Sequence, residues 1–332
     1  LRKIQLILVL LFLCFTACER STNSTGEVSN DKINVIATIF APYDFVRQIA
    51  GDRVNLSMLL SPGSESHSFE PSPRDIINIM NSDVFIYSGS ESDRWIDRIL
   101  QSVNTDKMRI LAMINTVTAL EEEIVEGMED PHNHDDHDHD DHDHDDHDHH
   151  DHDHDELVYD EHVWTSPKNA ITIVRAITDI LCEADNANAA YYRQNAASYI
   201  ESLMELDSIF TELIAGARRR IIVFGDRFPF RYLAHDYGLE YFAAFPGCST
   251  QTEPSAATVA FLINTIRALQ IPVVFHIELS NERMADTIAG ETGARKLLLH
   301  SAHNVSRDDF NAGLTYHDIM MRNTENLREA LY

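Results

Sequence analysis

Short apolar runs alternate with helix-patterned stretches on both sides of one long amphipathic segment, and this arrangement restricts the chain more than any other feature. Before the segment, INVIAT (33–38), VNLSMLL (54–60), DVFIYSG (83–89) and MRILAMI (108–114) read as strands. After it, RIIVFG (220–225), LEYFAAF (239–245), IPVVFHIEL (271–279) and RKLLLHS (295–301) repeat the theme. Strand-length apolar runs separated by helical patterns predict α/β units. The segment between them, roughly Asn188 to Ala215, contains no Pro or Gly and sets Tyr192, Ala196, Tyr199, Leu203, Leu206 and Phe210 three or four residues apart. That spacing predicts one amphipathic helix. At 1.5 Å per residue its length is about 40 Å, enough to run from one lobe to another. The expected organisation is an α/β lobe over 33–187, a linking helix over 188–216 and a second α/β lobe over 217–332, the alternative being that the segment is a long core helix of one domain.

Residues 132–154 interrupt the first lobe with eleven Asp, eleven His and one Asn. Such a segment has no apolar surface to offset the entropy of ordering, so it is expected to form an unstructured loop. Imidazole and carboxylate both bind borderline divalent ions, and a chain of them offers many weak, interchangeable zinc sites. Tight binding needs ligands held in fixed geometry by rigid elements, so it has to come from elsewhere in the chain. The formal net charge is −28, and the chain stays clearly acidic with the tract set aside. An acidic surface argues against nucleic acid as a partner.

At the N-terminus, Arg2 and Lys3 precede an apolar run from Ile4 to Phe15, followed by Phe15-Thr16-Ala17-Cys18. The run is too short to span a bilayer and fits a secretory signal. Small residues before a cysteine form the pattern of a bacterial lipobox, so residues 1–18 are expected to be a lipoprotein signal ending at a lipidated Cys18, with 19–32 as a tether. The protein is then extracytoplasmic and anchored to the cell membrane. Cys182 and Cys248 remain downstream, and one pair at that separation does not establish a disulfide.

Seven histidines lie outside the tract: His67, His162, His235, His276, His300, His303 and His317. A lone histidine is more often a surface or satisfied core residue than a ligand, so neighbours decide. His67, in PGSESHSFEPSPRD, and His162, in YDEHVWTSPKNA, each sit in a loop entering a helix, where α/β sheets hold ligands. His235 and His317 fall in helical patterns, and His276 alternates with Phe275 and Ile277 on a strand, which suits a core residue.

PG followed by SHSFEPSPRD, then DEHVWTSPKNA after an acidic His-rich stretch, resemble the zinc- and manganese-binding solute receptors of ABC transporters, the cluster A-I substrate-binding proteins. The resemblance continues through TEPSAATVAFLI (252–263), VVFHIELSNERMADTIAGETGA (273–294) and TYHDIMMRNTENLREAL (315–331) in the same order. It implies two α/β lobes joined by a long rigid helix, with one metal in the cleft between them, and a membrane permease as partner to a monomeric receptor. His67 and His162 match the family's two N-terminal-lobe ligands, although the usual Asp-Pro-His is here Asp160-Glu161-His162. The third ligand, a histidine in zinc members, falls in a segment where this chain offers Gly225, Asp226 and Arg227, and Asp226 could stand in as an oxygen donor. For the fourth, LLLHSAHNVS offers His300 and His303, which could bind one ion together; Glu278 could orient an imidazole. Three or four imidazoles favour Zn²⁺ over Mn²⁺.

Other functions compete. A zinc hydrolase needs an open coordination position and a general base; the chain has no HExxH, and Glu70 or Glu278 would act without supporting context. A metal-binding adhesin or a zinc buffer would use the tract itself as its working part, and a manganese receptor would share the fold but use more carboxylates.

Overall fold

In the first lobe β1 (Asn34–Ala37) lies between β2 (Asn55–Met58) and β3 (Val84–Tyr87), with β4 (Arg109–Ala112) outside β3. The computed structural model describes residues 32–64, 69–89, 93–128, 158–249 and 254–332. Cys18, His67 and the His/Asp tract lie outside the described residues. All pairings in this sheet are parallel, with Val35 opposite Leu56 on one side and Val84 on the other. Helices cover both faces of such a sheet, so successive strand residues are apolar and buried, as Val35, Ile36 and Ala37 are. The helices Phe40–Ala50, Pro73–Met80 and Arg94–Ser102 connect the strands. The second begins with a capping box between Ser72 and Asp75 and a proline in its first turn, which satisfies end amides and presets the helical φ.

The second lobe has the same plan. β5 (Ile221–Phe228) lies between β6 (Glu240–Pro246) and β7 (Val273–His276), with β8 (Arg295–Leu298) outside β7, all parallel. In each sheet the strand order reverses beside the first strand, so the loops leaving the carboxyl ends of adjacent strands turn apart. A crevice opens at that point, the usual ligand position in open α/β sheets.

The linking segment forms the helix Ala189–Ala215, with Tyr192, Ala196, Leu203, Leu206, Phe210 and Leu213 buried along one stripe. It packs on Phe40–Ala50 and Pro167–Ala184 and on the C-terminal helix Tyr316–Leu331. One apolar cluster runs from Val35 and Phe45 through Leu203 and Phe210 to Phe224 and Tyr316, so the two lobes share a core. Each such side chain contributes about 1.5–3 kcal/mol by burial, which makes lobe separation expensive.

Polar contacts add direction. Phe40 N donates to His303 O at 2.9 Å, and Tyr316 N donates to Asp44 Oδ2 at 2.7 Å. Asn304 Nδ2 reaches the carbonyls of Ser61 and Ser64 at 2.9 and 2.8 Å. The crevice therefore has fixed walls. Cys182 and Cys248 are free thiols, and no described helix is long and apolar enough to cross a membrane.

Candidate metal centre

His162 enters the crevice from a segment fastened on both sides. Glu122 N donates to Val158 O at 2.8 Å, Asp160 N to Leu120 O at 2.9 Å, and the Tyr232 hydroxyl to Asp160 O at 2.9 Å. The Asp160 carboxylate then acts on its neighbour: Oδ1 accepts from His162 N at 2.8 Å and lies 3.1 Å from His162 Nδ1. A proton on Nδ1 facing Asp160 leaves the Nε2 lone pair free, the arrangement by which a carboxylate sets the tautomer of a metal-binding histidine. The ring is 1% exposed. Burial pushes its pKa down, but the charges of Asp160, Glu161 and Glu122 outweigh that and hold it above the ordinary histidine value.

His303 comes from the other lobe. After β8 the chain makes a sharp turn in which Ala302 has φ +58°, and across the crevice Leu279 has φ +57°. Left-handed backbone at non-glycine residues costs about 1–3 kcal/mol and persists where surrounding bonds enforce it. Here Glu278 does so: its carboxylate accepts from Ser301 N at 2.7 Å, Ser301 Oγ at 2.6 Å and His303 N at 3.1 Å. Burial would raise the Glu278 carboxyl, yet these donors and the neighbouring His300 hold it below the usual glutamate value. Glu278 thus shapes the turn that presents His303. The His303 ring stands 5.6 Å from that of His162 and 5.3 Å, edge to face, from that of Trp164.

Ser64, His162, Arg227, Gly247, Glu278 and His303 are among the residues lining this crevice. Ligand atoms of Glu161, His162 and His303 lie within 4.8 Å of one another. A second such group, Asp160, His162 and Cys248, uses the carboxylate already engaged with His162 Nδ1. Burial, with Glu161, Asp160 and Glu122 adding to it, pushes the Cys248 thiol far up, so in the metal-free protein it is a neutral thiol.

Two of the expected candidates point elsewhere. His300 Nδ1 accepts from Ala302 N at 3.0 Å and lies 3.5 Å from Glu278 Oε2, so that nitrogen is engaged within the second lobe. The left-handed residue between the two histidines turns only His303 into the crevice. Asp226 faces into its own lobe, where Oδ1 accepts from Arg227 N and Oδ2 accepts from Ile277 N and Ser280 Oγ. Along a strand neighbouring side chains alternate, so the crevice receives Arg227, whose guanidinium has no lone pair to give a metal. His276 is half-buried, with Nδ1 3.1 Å from Ile277 O. His235 is exposed on the helix Arg231–Tyr237, and His317 lies on the C-terminal helix. The placing of Asp160, Glu161 and Arg227 at the crevice was not read from the sequence; the signals were their adjacency to His162 and Asp226 and the departure of Asp160-Glu161-His162 from Asp-Pro-His.

A family model described as zinc-uptake complex component A, periplasmic (ZnuA), matches residues 35–330. The chain belongs to the ZnuA family. The high-affinity zinc uptake system protein ZnuA of Bacillus subtilis is 30% identical over 326 residues, 98% of this chain and 96% of that protein. The zinc-binding lipoprotein AdcA of Streptococcus pneumoniae is 30% identical over 335 residues, 99% of this chain but 61% of that protein, so the chain spans about three fifths of AdcA. Among solved structures, the Zn(II)-bound ZnuA-like domain of S. pneumoniae AdcA is similar with a TM-score of 0.71 and 27% identity, over 91% of this chain and 99% of that one. The metal-dependent lipoprotein YcdH of B. subtilis gives a TM-score of 0.73 and 27% identity over 91% of this chain and all of that one.

Within this ZnuA-family fold, Gly247 lets the end of β6 approach the Asp160–His162 pair. A Cβ there would lie 2.9 Å from Phe228 O and 3.1 Å from both Asp160 Oδ2 and His162 Nδ1. Gly247→Ala is therefore expected to displace the orienting carboxylate and weaken metal binding by roughly 10- to 100-fold, the range for outer partners of metal-binding histidines. Titration against a chelator, with circular dichroism to verify folding, checks it; unchanged affinity would mean that the Asp160 contact does not orient His162.

Proposed function

We propose that the protein is an extracytoplasmic receptor that binds one Zn²⁺ in the crevice between its lobes and delivers it to the membrane permease of an ABC importer. The observation that carries this reading is the convergence of His162, oriented by Asp160, and His303 from opposite lobes on one buried point. His67, which the family resemblance assigns as a further ligand, completes the histidine set in this reading; His300 and Asp226 are left out of it. Imidazole donors favour zinc over manganese, and the zinc-binding relatives agree with that choice. The tract at 132–154 serves as an accessory collector, and a lipid on Cys18 holds the monomeric receptor at the membrane, with 1–18 as signal and 19–32 as tether.

The test is metal stoichiometry. The full chain should bind one tight zinc plus several weak equivalents, and deleting 132–154 should remove the weak equivalents alone. Loss of the tight equivalent as well would favour the buffer reading, in which the tract is the working part. A Cys18→Ala chain should leave the host membrane fraction with its tight zinc site intact; retention at the membrane would refute the lipid anchor.

A further inference from the structure

The geometry points to Glu161 as a direct ligand of the transported metal, supplying a carboxylate oxygen beside His162 Nε2 and His303. This assignment rests on the receptor reading and deepens it. Glu161 is 2% exposed, and its Oε1 lies 3.8 Å from His162 Nε2. Asp160 occupies the other nitrogen, so the lone pair at Nε2 and the Glu161 carboxylate are two electron-pair donors directed at shared space. Donor atoms around tetrahedral zinc, with bonds of about 2.0–2.2 Å, stand roughly 3.3 Å apart. The 3.8 Å separation is close to that bite, and the full Glu161–His162–His303 set lies within 4.8 Å. A small inward movement of side chains at His303 would complete the contact without parting the shared core.

Charge gives a second, independent reason. Arg227 lines the same crevice on the segment where the resemblance leads one to expect a histidine. A guanidinium contributes a positive charge and no ligand atom, so its charge adds to that of a bound dication. One anionic ligand offsets that repulsion. Glu161 stands where the family pattern has proline, so the same chain that lacks the third imidazole carries an added carboxylate next to the second. A carboxylate donor also shifts preference part of the way toward metals that favour oxygen ligands.

The test uses the full chain and Glu161→Gln, Glu161→Asp and His303→Ala variants, titrated with Zn²⁺ against a chelator strong enough to strip the tract. Co²⁺ at one equivalent or less provides a visible absorption signature of the ligand set. Glu161→Gln should weaken Zn²⁺ binding by at least tenfold, weaken Mn²⁺ binding by a larger factor and alter the Co²⁺ band. Glu161→Asp, which keeps an oxygen donor, should fall between Gln and wild type. Urea denaturation of each metal-free variant separates ligation from folding damage. Wild-type zinc affinity and an unchanged Co²⁺ band in Glu161→Gln would overturn the assignment and leave the receptor reading intact. Absence of any tight zinc in the wild-type chain would overturn both.

Discussion

His303→Ala is expected to weaken zinc binding by more than about 100-fold, beyond the range for outer partners of a metal site, whereas His300→Ala should leave it within a few-fold of wild type. The two residues are three apart in one loop, yet their surroundings differ. His303 faces His162 across the crevice, its backbone amide pinned by Glu278 and its carbonyl by Phe40 N. His300 closes a local bond to the Ala302 amide, and its own backbone is tied to Asn323 by bonds of 2.9 and 2.8 Å. Removing the His300 ring frees one amide in the turn; removing the His303 ring deletes a donor from the opposite wall of the site. Chelator competition at one pH, run on both variants, measures the contrast. Equal losses would mean that the turn binds the ion through both imidazoles.

The sheets were legible because parallel strands buried on both faces leave continuous apolar runs, and each of the runs from INVIAT to RKLLLHS overlaps a strand. The long helix was legible for the same kind of reason: an uninterrupted stripe with no Pro or Gly has little else to become. His162 could be read from its loop, since motif and topology agree on the crevice. Choosing between Asp226 and Arg227 was a different problem. The pairing of β5 with β6 changes register between Phe224 and Arg227, and a local irregularity of that kind decides which neighbour faces the crevice. Composition carries no trace of such a shift. His300 and His303 posed the same difficulty, because the left-handed residue that separates their directions is an alanine, not a glycine that would have marked the turn. Asp160-Glu161-His162 was visible as a departure from Asp-Pro-His, but what Glu161 and Asp160 do was not, because a residue's role beside a histidine depends on which nitrogen it faces, a property of the folded loop alone.

Trp164→Ala should cost about 3–5 kcal/mol of stability, since it empties a large, fully buried ring from the junction of the two lobes. Beyond its volume, the indole Nε1 donates to Ser301 O at 2.8 Å, and the Trp164 carbonyl accepts from the Tyr316 hydroxyl at 2.7 Å. Trp164→Phe keeps most of the apolar contact but leaves the Ser301 carbonyl without that donor, which should cost about 1–3 kcal/mol. Domains of ordinary stability have about 5–15 kcal/mol in hand, so the alanine variant removes a large fraction and the phenylalanine variant a modest one. Urea denaturation of the metal-free protein separates them, with an unchanged slope indicating that the same surface unfolds. The two variants also divide packing from positioning at the site. Ser301 hydrogen-bonds Glu278, which pins His303, so Trp164→Phe should lower zinc affinity measurably while most of the stability remains. If Trp164→Phe bound zinc as tightly as wild type, the Ser301–Glu278 turn would have to be held by its own bonds without the indole. If Trp164→Ala lost less than about 1 kcal/mol, below the usual cost of emptying an aromatic core site, the two lobes would not share the continuous core described above.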